Sequence, residues 1–403
     1  MTTKTIVTAL LVLITLLIPL SLYSQSQDFE MNGTVLVKYN GSAARVTIPS
    51  GVTAIGNNAF INKGNLTSIT IPSSVTSIGS YAFQRCSSLT SITIPSSVIS
   101  IGVSAFIGCT SLTSITIPSS VISIGGSAFA DCTSLASITI PASVTSIGGG
   151  AFDGTAWLDS QPDGLVYVGK VLYTYKGTMP TNTVINNIRA DTVAIAGGAF
   201  FQCTSLTSIT IPSGITSIES GVFSECRSLT SITIPSSVTS IGDYAFRACT
   251  SLTSITIPLG VTSVGVNAFA DCRSLTSITI PSSVTSIGAA AFSGCTSLTS
   301  VTIPSSVTSM EHAFHPNVRI IDSLLSGTTW RGSDSEGIMV LMFNRPNYTM
   351  TFKGSTYSGR YTLSGSIVTL YFGFGEEGSS GTLAGNTLTL EDSGGDKIRL
   401  TKQ

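Results

Sequence analysis

The sequence predicts a repeat solenoid of the α/β class that is mostly β, followed by a small antiparallel β-barrel or meander domain. Two observations predict this fold. The phrase that begins at Leu89 returns 23 residues later at Leu112, with its apolar residues, proline and cysteine in the same places. Such a period is typical of coils that bury their apolar edges only by stacking on their neighbours. The period stops near Ser326, where short runs of alternating apolar residues begin.

Each coil can be divided by position, taking the leucine of the phrase LTSITIP as position 1. Positions 1, 4 and 6 are apolar and alternate with polar residues, which predicts a short strand with one face toward the core. Proline at position 7 cannot donate to a ladder and ends the strand. Apolar residues at positions 17, 18, 21 and the next position 1 have helical spacing, so we expect a turn of α- or 3₁₀-helix to close the coil. The eleven coils begin at Ala43, Leu66, Leu89, Leu112, Leu135, Thr183, Leu206, Leu229, Leu252, Leu275 and Leu298.

The residues before the array predict a signal peptide and a cap. Residues 1–26 contain a basic Lys4, an apolar run from 5 to 22 and a polar exit, the order found in secretory signal peptides. The alternative is an uncleaved membrane anchor, although the run is near the lower length limit for spanning. Residues 27–42 include an apolar stretch at 34–39, which we expect to form an edge strand that covers the first coil. The solenoid is expected over residues 43–322.

The array is interrupted over residues 153–182. Residues 165–175 predict two strands around Gly169 and Lys170, a hairpin in place of a regular coil. Aromatic residues in irregular segments often carry recognition, which makes those of this segment candidate binding residues. The alternative is an ordinary structural interruption of the repeat. The candidate binding residues are Trp157, Tyr167, Tyr173 and Tyr175.

The phrase LxxIxIPxxVxxIGxxAFxxC resembles the BspA-like leucine-rich repeat of bacterial surface proteins, over roughly residues 43 to 320. This resemblance implies a curved leucine-rich-repeat solenoid with a parallel sheet on its concave side. It also implies a secreted or cell-surface location, with attachment to host proteins, extracellular matrix or the surface proteins of other bacteria. Interruptions like the one at 153–182 occur in members of that family.

Composition and motifs argue against catalysis. Charged residues make up 10% of the chain and the net charge is −1, so neither nucleic acid nor an acidic membrane surface is favoured as a partner. The two histidines, His312 and His315, lie beside Glu311, but the segment shows no helical pattern and no third ligand. No phosphate loop or nucleophile elbow occurs. We therefore expect no enzyme activity, no metal, no cofactor, and no membrane contact beyond the signal peptide.

Two residue types recur at fixed positions on and inside the coils. Serine and threonine at positions 3 and 5, such as Ser91 and Thr93, predict an uncharged outward face. That face is either a simple solvent surface or a weak, multivalent contact surface. The eight cysteines occur at position 21 in runs of three and five, which cannot pair completely within themselves. We expect all eight to be buried free thiols that fill the core.

The C-terminal region, residues 326–403, has a different pattern of short strands separated by turns at 364–366 and 385–386. It is similar to small lipocalin-like β domains appended to bacterial secreted proteins, with Trp330 in its opening strand.

Taken as a whole, the sequence favours a secreted or cell-surface binding or adhesion protein that uses its repeat array for protein–protein interaction. The alternative is a small-ligand carrier or enzyme-accessory protein that acts through the C-terminal domain.

Overall fold

The structure, a computed structural model, describes residues 28–304, 306–310 and 312–322, and then eight strands between Thr329 and Lys402. The predicted signal peptide lies outside the described residues. The chain divides into two compact units. The first contains residues up to Gly177 together with Asp191–Ala199, and the second contains Thr178–Ala190 and the residues from Phe200 onward. Within the described ranges, no helix has both the length and the apolar character that crossing a membrane requires.

The repeat region is a mostly β solenoid of about eleven turns with coils of about 23 residues. Each coil has three sides, formed by positions 3–5 (the first side), positions 12–13 (the second side) and positions 15–22 (the third side). The first-side strands are Arg45–Thr47, Ser68–Thr70, Ser114–Thr116, Ser137–Thr139, Thr183–Ile185, Leu206–Thr210, Ser231–Thr233, Ser254–Thr256, Ser277–Thr279 and Ser300–Ile303. The second-side strands are Ala54–Ile55, Ser77–Ile78, Ser100–Ile101, Ser123–Ile124, Ser146–Ile147, Ala194–Ile195, Ser217–Ile218, Ser240–Ile241, Ser263–Val264 and Ser286–Ile287.

Paired strands on the first side run parallel, and most pairs of regular coils place equal coil positions opposite each other; the pairing of Thr183–Ile185 with Leu206–Thr210 shifts by one residue after Thr183. Ser208 lies opposite Ser231, and Thr210 lies opposite Thr233. The predicted first-side strand is confirmed in ten of the eleven coils, since none is assigned at 91–93 of the Leu89 coil. The expectation that these strands form one parallel sheet is wrong. The first-side strands form separate sheets of two or three strands, whereas second-side ladders extend through longer runs of coils. Three-residue strands that end at a proline offer few donors, so not every junction between coils is held by a ladder.

The third side is a series of tight turns, and the predicted helical turn is wrong. In one coil the N–H groups of Tyr81, Phe83 and Arg85 donate to carbonyl oxygens of the next coil, at 2.7 to 2.9 Å. A helix would have kept these donors within the coil. In the ten coils before the last, two residues per coil, at positions 16 and 20, adopt positive φ angles between 53° and 71°. These residues are Asn58, Asn62, Tyr81, Arg85, Ser104, Gly108, Ser127, Asp131, Gly150, Gly154, Gly198, Gln202, Gly221, Glu225, Tyr244, Ala248, Asn267, Asp271, Ala290 and Gly294.

Stacked rings and thiols fill the core behind the third side. The phenylalanine at position 18 stacks on its counterpart in the next coil, with ring centroids 5.0 Å apart for Phe83 and Phe106 and 5.1 Å apart for Phe246 and Phe269. All eight cysteines are buried and free, which confirms that prediction. The Cys109 thiol donates to the carbonyl oxygen of Phe83 at 3.2 Å, and six other cysteines repeat this contact. A thiol therefore satisfies a backbone acceptor at most of these junctions.

Hydroxyl groups at positions 2, 9 and 11 also satisfy backbone acceptors between coils. At position 9, the Ser237 hydroxyl donates to the carbonyl oxygen of Ile215 at 2.6 Å. At position 11, the Thr239 hydroxyl donates to the carbonyl oxygen of Thr216 at 3.2 Å. The same position-9 contact occurs at Ser74, Ser97, Ser120 and Ser283. Much of the serine and threonine content is therefore structural.

The first unit begins with a hairpin that caps its stack. Phe29–Asn32 pairs in antiparallel fashion with Val35–Tyr39, which pairs in parallel with Ala54–Ile55. The predicted strand that covers the first coil is confirmed, but it is not the edge of the sheet, because the unpredicted strand Phe29–Asn32 pairs on its outer side. Tyr39 is 1% exposed and its ring lies 5.3 Å from that of Phe60. It therefore takes the place that a phenylalanine of a preceding coil would occupy.

After the last coil, Arg319–Asp322 pairs in parallel with Ser300–Ile303. Eight antiparallel strands follow, each paired with the next, and Trp330 of the first lies opposite Lys402 of the last, so the ladder closes on itself. The likeness to lipocalin-like domains stays a prediction. These strands are Thr329–Asp334, Gly337–Asn344, Asn347–Phe352, Ser355–Ser364, Ile367–Phe372, Glu376–Ala384, Thr387–Glu391 and Lys397–Lys402.

Candidate binding site at the interruption

The interruption consists of a single helical turn and a hairpin. The helix, Ala156–Asp159, is capped by Thr155, whose hydroxyl accepts a hydrogen bond from the Leu158 N–H at 3.2 Å. Gly164–Val168 and Val171–Lys176 then form the predicted antiparallel hairpin. The segment is therefore an ordered element of the first unit that presents several aromatic residues.

Tyr173 occupies a structural place in this element. It is 2% exposed, and its ring lies edge-on to Phe152 with centroids 5.4 Å apart. Its hydroxyl accepts a hydrogen bond from the Phe152 N–H at 2.8 Å and donates to Asp153 Oδ1 at 2.9 Å. One coil earlier, the equivalent N–H of Phe129 donates to the Ala151 carbonyl oxygen at 2.8 Å. The Tyr173 hydroxyl thus replaces the acceptor that a further regular coil would supply.

The electrostatic environment of Tyr173 keeps its hydroxyl protonated. Burial raises the pKa of Tyr173, and the nearby carboxylate of Asp153 raises it further. A protonated hydroxyl can donate to Asp153 and accept from Phe152 at once. The side chain is therefore committed to the core in the described conformation.

Trp157 packs on the same phenylalanine as Tyr173. Its ring lies 5.4 Å from that of Phe152 at an interplanar angle of 64°, and its backbone N–H donates to the Leu135 carbonyl oxygen at 2.7 Å. The side chain is partly buried against the core of the first unit. Two of the four predicted residues are thus brought together on one ring, where they close the stack of phenylalanines.

Tyr167 and Tyr175 lie on opposite strands of the hairpin and are both half-buried. Tyr167 lies opposite Leu172, and Tyr175 lies opposite Leu165. Their partly exposed rings give the hairpin an aromatic surface suited to contact with a partner. Tyr167 and Tyr175, like Trp157, keep part of their surface exposed, whereas Tyr173 is buried. A binding role for these residues stays a prediction.

A cation holds the hairpin against the preceding turn. Lys176 Nζ donates to the carbonyl oxygen of Asp159 at 2.9 Å and lies 3.9 Å from a carboxylate oxygen of Asp163.

Among the described residues, no group of three or more metal-ligating side chains occurs. His315 Nδ1 accepts a hydrogen bond from the Asn317 N–H at 3.2 Å. The geometry of the interruption suits noncovalent contact through aromatic surface.

The structural role of Tyr173 was not predicted from the sequence. The available signal was the interruption itself, because the coil before a break loses the backbone acceptors that its successor would provide. The bonding roles of positions 2, 9 and 11 were also missed. Their signal is the recurrence of serine or threonine at these positions in most coils.

The sequence matches the protein family described as the BspA type leucine rich repeat region, in six copies over residues 38–159 and 193–320. The chain belongs to this family. The match stops at residue 159 and resumes at residue 193, so the unmatched stretch contains the hairpin. No curated protein matches the chain significantly.

Several solved structures are similar to this BspA-type chain. A leucine-rich repeat protein from Bacteroides ovatus is 29% identical, with 72% of this chain and 87% of that chain covered and a TM-score of 0.33. A leucine rich cell surface protein from Faecalibacterium prausnitzii is 31% identical, with coverages of 73% and 92% and a TM-score of 0.33. The pneumococcal vaccine antigen PcpA is 19% identical, with coverages of 73% and 96% and a TM-score of 0.35.

Proposed function

We propose that this protein is a secreted or cell-surface adhesin that binds other proteins through its repeat array and has no catalytic activity. Membership of the BspA-type family supports a surface role, since such repeats are typical of bacterial surface proteins. Host, matrix and bacterial surface proteins are the proposed partners. Nucleic acid is not among them, because the chain has a net charge of −1.

The observation that carries the proposal is the division of hydroxyl groups between bonding and outward positions. The hydroxyls at positions 2, 9 and 11 are used between coils, whereas outward residues such as Ser231 and Thr233 are exposed. Strand register aligns these outward residues in rows that repeat from coil to coil. A surface of this kind offers many weak, equivalent contacts, whose combined strength depends on multivalency.

The hairpin supplies what the hydroxyl rows lack. Hydroxyl groups give little net free energy per contact because water competes for them. Aromatic residues dominate the affinity of protein interfaces, and Tyr167 and Tyr175 are half-buried aromatic residues of the hairpin. We place the strongest contacts of the adhesin on the hairpin and the weaker ones along the first side.

The proposal is tested by measuring the binding of the full chain to immobilised matrix and cell-surface proteins. We expect the double variant Tyr167→Ser/Tyr175→Ser to bind roughly thirtyfold more weakly, because each lost ring removes about 1 kcal/mol. The matched control is Tyr81→Ser/Tyr244→Ser, which removes two tyrosines of regular coils that are 39% and 43% exposed. Equal losses in both variants, or no loss in the hairpin variant, would contradict the placement of the contacts.

A further inference from the structure

The last regular junction of the array is open on its first side. Ser277–Thr279 pairs with Ser254–Thr256, and Ser300–Ile303 pairs with Arg319–Asp322. No ladder joins Ser277–Thr279 to Ser300–Ile303 within the described sheets. The junction between Ser231–Thr233 and Ser254–Thr256 likewise has no ladder within the described sheets.

The other two sides of the same junction remain closed. The N–H of Thr308 donates to the Thr285 carbonyl oxygen at 2.9 Å on the second side. On the third side, the rings of Phe292 and Phe314 stack with centroids 4.9 Å apart. The Leu298 coil is one residue short, because its phenylalanine comes at position 17 and not at position 18.

The open junction forms a cleft of about 320 Å³. Such a volume is at the lower end of the range for small-molecule sites, about 300–1,000 Å³. Its polar lining consists of uncharged hydroxyl residues and the unpaired strand backbones, and its floor is aliphatic. The lining residues are Ser277, Ile278, Thr279, Ile280, Ser300, Val301, Thr302 and Pro304.

The chemistry of this lining selects the class of ligand. A charged ligand would be desolvated without a charged partner, which is unfavourable. A purely apolar ligand would leave the hydroxyl and backbone groups without hydrogen bonds. A neutral sugar satisfies both parts of the lining, because its hydroxyl groups alternate with C–H faces. We propose that the cleft between Ser277–Thr279 and Ser300–Ile303 binds a neutral mono- or disaccharide unit of a glycan.

The sugar site is independent of the proposed protein contacts at the hairpin, since it uses other residues. It is tested by isothermal titration of the full chain with maltose, lactose and N,N′-diacetylchitobiose, up to about 20 mM. A small, open site without aromatic residues in its lining is expected to bind at a Kd on the order of 1 mM. At least one of these sugars should bind saturably, and glucuronate should bind more weakly.

One double variant locates the binding. Ser300→Ala/Thr302→Val removes two lining hydroxyls and should weaken binding roughly tenfold. The matched control, Ser208→Ala/Thr210→Val, alters a strand that is paired on both sides and should bind as the wild type does. Absence of saturable binding by every sugar, equal binding of glucuronate, or binding unchanged in Ser300→Ala/Thr302→Val would overturn the proposal.

Discussion

At the scale of single residues, the role of a hydroxyl group depends on its position in the coil. Ser237, at position 9, is partly buried and donates to a carbonyl oxygen of the preceding coil. Ser231, at position 3 of the same coil, is exposed. Removing the donor of a buried backbone carbonyl oxygen costs free energy, because that oxygen is left without a hydrogen bond. Removing an exposed hydroxyl costs little, because it gives up only contacts with water. The same residue type therefore contributes to stability at one position and to the surface at the other.

Substitution of Ser237 by alanine should lower the free energy of unfolding by about 1 kcal/mol, because the Ile215 carbonyl oxygen loses its donor. The control Ser231→Ala lies in the same coil and should change it by less than about 0.5 kcal/mol. Urea denaturation of the three chains, followed by circular dichroism, gives the comparison. Equal destabilisation by the two substitutions would show that position 9 has no special role.

At the scale of elements, the hairpin ends the phenylalanine stack of the first unit. It supplies a side-chain hydroxyl as hydrogen-bond acceptor where a regular coil would supply a backbone carbonyl oxygen. Phe152 has no following alanine carbonyl, and the Tyr173 hydroxyl accepts its N–H in that place. Trp157 covers another edge of the same ring. A buried N–H of Phe152 without an acceptor would cost free energy. The residue that covers Phe152 at the interruption must therefore carry a polar group, which is the hydroxyl of Tyr173.

The substitution Tyr173→Phe keeps the ring and removes the hydroxyl. We expect a loss of about 1–3 kcal/mol in the free energy of unfolding, because a buried N–H is left without an acceptor. Tyr175→Phe, on the same strand, should have a much smaller effect, since that side chain is half-buried. Faster hydrogen exchange of the Phe152 amide in Tyr173→Phe alone would support this assignment, and unchanged exchange would contradict it.

Some elements could be predicted from the sequence and others could not. The alternation of apolar and polar residues at positions 1, 4 and 6 predicts the first-side strands, because an extended segment places these apolar side chains on one face. The spacing of Ala82, Phe83, Cys86 and Leu89 fits a helical turn and also a series of tight turns. The choice between them depends on hydrogen bonds to the next coil, which local spacing does not encode. The glycine and asparagine residues at positions 16 and 20, such as Asn58 and Asn62, were the available signal, because they tolerate positive φ.

The hairpin could be predicted from the two apolar runs around Gly169 and Lys170, and the structure contains it. The roles of its aromatic residues could not be predicted in the same way. The sequence did not separate Tyr173, which is buried, from Tyr175 two residues later. Both lie on one strand, and Tyr173 is the one whose ring packs edge-on against the Phe152 ring.

At the scale of the whole molecule, the thiols form two buried rows. Burial is the main cause that raises the pKa of Cys86, Cys203 and Cys295 to about 12. Thiolates are the reactive form, so these cysteines should resist oxidation in the native protein. This accounts for how a chain expected to be secreted keeps eight free thiols.

Stability should therefore fall at alkaline pH. A thiol whose folded pKa is raised favours the folded state fully below its unfolded pKa, near 9, and this contribution is lost as the pH rises toward 12. Each such thiol should cost about 1.4 kcal/mol per pH unit in that window. We expect equal urea midpoints at pH 7 and 8 and a clear drop at pH 10.

Titration with a thiol reagent should find eight thiols after denaturation without reductant and close to none before.

The proposed function requires the whole molecule to attach to surface proteins through its repeat array. This is tested by measuring the attachment of beads coated with the full chain to host and bacterial cells, before and after mild protease treatment of the cells. We expect saturable attachment that soluble chain competes away and that protease treatment removes. Attachment that survives removal of the surface proteins, or no attachment to any cell, would contradict it.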